Sequence, residues 1–181
     1  MAARPIATNE YLRTPETLLP QELVYGYVRE AAAPSAAHQR TVGALFIRLS
    51  QLLRDTGAGE AWLAPLDVVL DVERNLVVQP DLSVVLTEHA DIVTDRIWGA
   101  PDLVVEVLSP RPRIGSLEER LEWFATYGVR ECWLVHLPGS RIEVIRFQRG
   151  LVVSTMFGPL DAVRSWVLPG LRLTPLDVIS T

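Results

Sequence analysis

The chain has 181 residues, 49% hydrophobic and 22% charged, with a mean hydropathy of +0.20. That composition suits one domain spanning residues 1–181 and excludes extensive disorder away from the ends. A net charge of −5 argues against non-specific coating of nucleic acid, which needs a broad basic surface, but leaves room for a local basic groove.

No apolar run reaches the ~18 residues that span a membrane, and "MAARPIATNEYL" lacks a signal-peptide core. A cytoplasmic location is therefore expected. The single cysteine, Cys132, excludes an intrachain disulfide and any multi-cysteine zinc site. It lies in "ECWLVH" and reads as an inert buried thiol. All 17 basic residues are arginine. Chemistry that elsewhere uses an ammonium must here use a guanidinium, which does not give up its proton.

In chain order, residues 8–14 predict a short helix with Thr8 as N-cap. "QELVYGYVREAA" (21–32) predicts a strand interrupted by glycine. The next segment predicts a helix capped by Ser35, striped by Val42, Leu45, Leu49 and Leu52, and ended by Gly57. Residues 60–86 predict two strands joined by a turn near 73–75. Residues 87–99 are polar and read as loop or short helix. "PDLVVEVLS" is a β-branched strand. Ser116 and Glu119 form the S-x-x-E start of a helix with Leu117, Leu121 and Phe124 on one face and Gly128 at its end. "ECWLVHL" is a further strand. "SRIEVIRFQRG" and "LVVSTMFG" alternate as an antiparallel hairpin. The order fits an α/β fold: a mixed β-sheet flanked by helices, with an additional C-terminal β-hairpin.

The tripeptide Pro-Asp-Leu occurs at 80–82 and again at 101–103. Each proline marks a strand entrance, because it cannot donate to a sheet ladder. Each aspartate, taken alone, is an ordinary turn residue. Glu106 changes the weighing. It shares a face with residues 102, 104 and 108 in a strand that reads as covered on both sides, where a carboxylate needs a partner or a ligand. The following helix returns Arg120, at the margin of its apolar face, to the end of that strand, the ligand side of α/β sheets. One reading is a plain Glu106–Arg120 ion pair. The other adds Asp81: two carboxylates on adjacent strands hold a hard cation such as Mg²⁺ (or Mn²⁺), beside a guanidinium that holds phosphate.

"QPDLSVVL", "PDLVVEVLSP" and "ERLEWFATYGVRECWLV" together resemble the Uma2 family (formerly DUF820), within the PD-(D/E)XK, restriction-endonuclease-like superfamily. The resemblance covers roughly residues 8–170. It implies a restriction-endonuclease-like fold and a metal-dependent endonuclease acting on DNA, with Mg²⁺ or Mn²⁺ and a possible homodimer. Asp81 and Glu106 match its two metal-binding acids. Arg120 stands where the family places a lysine on the helix. Glu22 matches an acid before the first helix, and His38 matches the family histidine there, although a plain helix-start role fits His38 equally. The chain departs from the pattern at Leu108, where the superfamily has lysine, at Ser116, where the family has aspartate, and at Tyr25-Gly26-Tyr27, where it has Asp-Gly-Glu. These departures also fit a nuclease-fold protein acting as a nucleic-acid or protein binding module. His89 and His136 read as non-catalytic. Arg111 and Arg113 read either as a solvated loop or as a phosphate-contacting rim.

Overall fold

The computed structural model describes residues 4–15, 20–108, 116–148 and 150–179. Their elements are α1 (Thr8–Tyr11), β1 (Gln21–Val24), β2 (Tyr27–Glu30), α2 (Ala36–Thr56), β3 (Gly59–Leu63), β4 (Val68–Asp71), β5 (Leu76–Val78), β6 (Leu82–Leu86), β7 (Ile97–Trp98), β8 (Leu103–Leu108), α3 (Leu117–Tyr127), β9 (Glu131–His136), β10 (Arg141–Gln148) and β11 (Leu151–Phe157). Short 3₁₀ turns cover Thr87–Ile92 and Pro175–Asp177.

The strands form two sheets, ordered β2-β1-β5-β4-β7 and β11-β10-β9-β8-β6-β3. The larger sheet is mixed. β8 and β9 are parallel and joined through α3, while β6–β8, β9–β10 and β10–β11 are antiparallel. The expected C-terminal hairpin is β10–β11, and it extends this sheet to its edge. The α/β mixed-sheet architecture is as expected, but with a second sheet.

Proline explains that second sheet. Residues 60–86 were expected to give two strands and instead give four. Pro65 lies between β3 and β4, and Pro80 lies between β5 and β6. Because proline cannot donate to a ladder, each break lets the chain change sheets. β3 and β6 pair with each other in the larger sheet, while β4 and β5 pair in the smaller one. The expected turn at 73–75 is the β4–β5 connection, with Asn75 left-handed at φ 56°. Similarly, 21–32 is a hairpin. Tyr25 and Gly26 turn at φ 50° and 88°, and a Cβ on Gly26 would sit 3.0 Å from the Pro5 side chain.

Two apolar layers flank the larger sheet. On one side α2 buries Val42, Leu45, Leu49 and Leu53 against Leu82, Leu103, Val105 and Trp133. Leu53 carries the stripe, and Leu52 is only partly buried at its margin. Ser35 Oγ accepts from His38 N at 3.2 Å and Gly57 ends the helix at φ 65°, both as the sequence predicts. On the other side α3 and the smaller sheet cover Val104, Cys132 and Leu134. Ser116 Oγ caps α3 through Glu119 N at 3.1 Å. The buried face is Arg120, Trp123 and Phe124 rather than Leu117, Leu121 and Phe124; Leu117 is exposed. The expected N-cap at Thr8 is Ala7. Thr8 lies inside α1, its hydroxyl donating to Val72 O and Asn75 Oδ1. Among the described residues no helix is long and apolar enough to cross a membrane.

Candidate active site and metal centre

β8 is buried on both faces. Val105 and Val107 point to the α2 layer, while Val104 and Leu108 point to the α3 layer. Strict alternation therefore sends Glu106 toward α3. β6 runs antiparallel to β8 with Leu82 opposite Val105. One step further along that register, Asp81 stands opposite Glu106. The two acids reach the same end of the sheet because Pro80 starts β6 there.

All five residues singled out in the sequence converge in one buried row. His38 Nε2 lies 3.0 Å from Asp81 Oδ2, both side chains almost fully buried. The carboxylate can only accept, so Nε2 carries the hydrogen. Val107 N also donates to Asp81 Oδ2, at 2.8 Å. Arg120 donates to Glu106 Oε1 through Nε at 3.1 Å and Nη2 at 2.5 Å. Its Nη1 donates to both oxygens of Glu22, at 2.9 and 2.7 Å. Gln79 N adds a third bond to Glu22 Oε1, at 2.7 Å. The smaller sheet thus supplies Glu22, the larger sheet Asp81 and Glu106, and the two helices His38 and Arg120.

Burial sets the electrostatics. It pushes the Glu106 carboxyl up to about 7; the Arg120 charge opposes this, and Asp81 and then Glu22 raise it further. Burial also works against charge on Arg120, but Glu106 and Glu22 outweigh it and hold the guanidinium above the ordinary arginine range. Two carboxylates share this one cation. Glu106 Oε1 takes both of its Arg120 bonds, and among the described residues no hydrogen bond reaches Oε2.

The geometry qualifies one expectation. Arg120, cast as the phosphate-holding cation, has its fork engaged by two carboxylates. Glu22, Asp81 and Glu106 do not bring three oxygens within 4.8 Å of one another. Among the described residues only Glu88, His89 and Asp102 bring three such ligand atoms that close. Arg130 Nη1 already bridges that second group, 3.0 Å from Asp102 and 3.3 Å from Glu88.

Several participants had no sequence signal strong enough to find them. Val107 and Gln79 act through backbone N–H groups, which no side-chain pattern reveals. Arg29 stands opposite Glu22 in the β1–β2 register and pairs with Glu119 at 3.0 Å, and only strand alternation would have pointed to it. Ser116, where the family has aspartate, serves as the helix cap. Leu108 packs among apolar neighbours beside His136. His89 and His136 lie outside the row, against Asp102 at 2.9 Å and Glu143 at 3.4 Å. Cys132 is fully buried and its thiol is pushed well above the ordinary range by burial, in keeping with an inert side chain. Arg111 and Arg113 lie outside the described residues.

Two sheets, a helix crossover and an acid-rich strand end define a nuclease-type α/β fold. The same fold occurs in the crystal structure of "a putative nuclease belonging to DUF820" from Anabaena variabilis ATCC 29413, with a TM-score of 0.81. The match has 20% identity and covers 97% of this chain and 98% of that one, a likeness that speaks for the fold. The chain belongs to the Uma2 family, described as "Putative restriction endonuclease", whose model matches residues 8–177. A comparison with curated proteins finds no match.

Proposed function

We propose that the protein is a metal-dependent endonuclease that hydrolyses DNA phosphodiester bonds at the Asp81–Glu106 row. The observation that carries this reading is Glu106. It is a buried carboxylate held up to about 7 despite two hydrogen bonds from Arg120, and the charge of the nearby acid Asp81 helps to raise it. An added divalent cation relieves that arrangement, and hard oxygen ligands suit Mg²⁺ or Mn²⁺. Asp81 and Glu106 would hold the ion, which supplies Lewis-acid stabilisation of charge building on the phosphate. His38 and Val107 N orient Asp81. Arg120 aligns Glu106 and Glu22 and keeps a positive charge beside the scissile group. It cannot act as a base, because a guanidinium does not deprotonate.

The same reading takes the chain as one domain, placed in the cytoplasm. It also takes the chain as a homodimer, since one centre per chain cuts one strand at a time. The rival reading is a nucleic-acid or protein binding module on this fold. It is favoured by the closed Arg120 fork and by Leu108 in place of a lysine. A plasmid-nicking assay with Mg²⁺ or Mn²⁺ separates the two. Metal-dependent nicking that disappears in Glu106→Ala supports the enzyme. A folded protein that never nicks, but retards DNA, supports the binder.

A further inference from the structure

The opposite end of the larger sheet carries a second cluster of arginine and aromatic side chains. Arg146 in β10 stands opposite Glu131 at the start of β9, whereas Glu106 stands opposite Leu134, further along that strand. The Arg146 guanidinium lies over the Trp166 ring, 4.1 Å from its centroid. This stacked pair is the shared wall of two cavities, of about 270 and 600 Å³. The larger has an apolar floor of Val144, Phe157 and Val163 and a rim of Arg146, Arg164 and Trp166. The smaller adds Arg130, Phe147 and Gln148.

The backbone of this wall is fixed. Glu131 is fully buried and takes three neutral donors: Trp133 Nε1 at 2.7 Å, Ser165 Oγ at 2.7 Å and Trp166 N at 2.6 Å. Both of its oxygens are thereby used, and Arg146 turns to the indole face instead. Among the described residues neither Arg146 nor Arg164 forms a salt bridge with a carboxylate. Trp166 remains 56% exposed.

We infer that this paired cavity binds a nucleotide unit, a flat base joined to a phosphate. The apolar floor and the half-exposed indole suit the base, since any base can stack on an aromatic face. Guanidiniums not engaged by carboxylates suit the phosphate, which their planar fork matches. The larger cavity falls within the ~300–1,000 Å³ typical of small-ligand sites. The site stands apart from the Asp81–Glu106 row and does not depend on that row being catalytic.

The test is quenching of Trp166 fluorescence in EDTA by deoxythymidine monophosphate, by an eight-residue oligo-dT and by inorganic phosphate, with Trp166→Phe as the blank. A saturable quench by the mononucleotide assigns the site to free nucleotides. A saturable quench by the oligonucleotide alone assigns it to a nucleic-acid strand. In either case Arg146→Gln and Arg164→Gln should weaken binding at least tenfold, and Asp81→Asn should leave it unchanged. Arg164 is exposed, so its variant is expected to fold. No saturable quench, a quench that persists in Trp166→Phe, one indifferent to both arginine variants, or binding no tighter than that of inorganic phosphate would overturn the inference.

Discussion

Asp81 and Asp102 stand in the same tripeptide, each at a strand entrance, each almost fully buried, each with a histidine nitrogen about 3 Å away. Their surroundings differ because β6 and β8 run antiparallel, so the two entrances lie at opposite ends of the sheet. Asp102 accepts from Leu86 N at 2.8 Å and from Arg130 at 3.0 Å, and its histidine is about half exposed. There a guanidinium, a backbone amide and a half-exposed histidine balance the acid. Asp81 stands opposite Glu106, in a row where Glu22 and Glu106 share Arg120 and the histidine is sealed. The same three residues make a joint in one place and a charged centre in the other. What decides is the neighbouring strand, not the motif.

The largest break in this comparison comes from Arg120→Ala. It leaves Glu22 and Glu106 buried without their cation, which should cost about 3–5 kcal/mol in denaturant unfolding. If the row accepts a cation, Mn²⁺ should raise the melting temperature of this variant more than that of wild type. No shift in either protein would mean that the row takes no cation. Asp102→Ala strands the Leu86 amide and Arg130, and should cost about 2–3 kcal/mol while sparing any nicking activity of the folded fraction. Loss of nicking at full folding would dissolve the distinction between the two aspartates.

Glu106→Gln gives a smaller, pH-dependent effect in metal-free protein. The folded carboxyl titrates near 7 and its ordinary value is 4.5. Between these values the folded state holds a proton that the unfolded chain has released. Its contribution is therefore full below pH 4.5 and is lost as pH rises through 7. Wild type should lose stability relative to Glu106→Gln across that window and then run parallel to it. A flat difference would remove Glu106 from the list of perturbed acids. His89→Asn should change stability by less than about 1 kcal/mol, because its pair with Asp102 is half exposed.

The site was more legible than the scaffold. Glu106 stood out because an acid in a β-branched run needs a reason, and the crossover placed Arg120 beside it. Asp81 came from its Pro-Asp-Leu strand entrance beside the Glu106 strand, Glu22 and His38 came through family resemblance, and all three meet in the row. The split into two sheets was less legible, since Pro65 and Pro80 mark where a strand stops but not where the chain goes next. The α3 face was misplaced because Arg120 is buried by its two acids and Leu117 is left outside, reversing what hydropathy alone suggests. The Arg120 fork closed on two carboxylates depends on contacts 14 and 98 residues apart, beyond any local pattern.

Calorimetric titration of Mn²⁺ into wild type, Asp81→Asn and Asp102→Asn decides whether the Asp81 end of the sheet, and not the Asp102 end, takes a divalent cation. Binding should be saturable in wild type and in Asp102→Asn, and absent in Asp81→Asn. Undiminished binding in Asp81→Asn, or loss only in Asp102→Asn, would contradict that placement and move the metal to the Glu88–His89–Asp102 cluster.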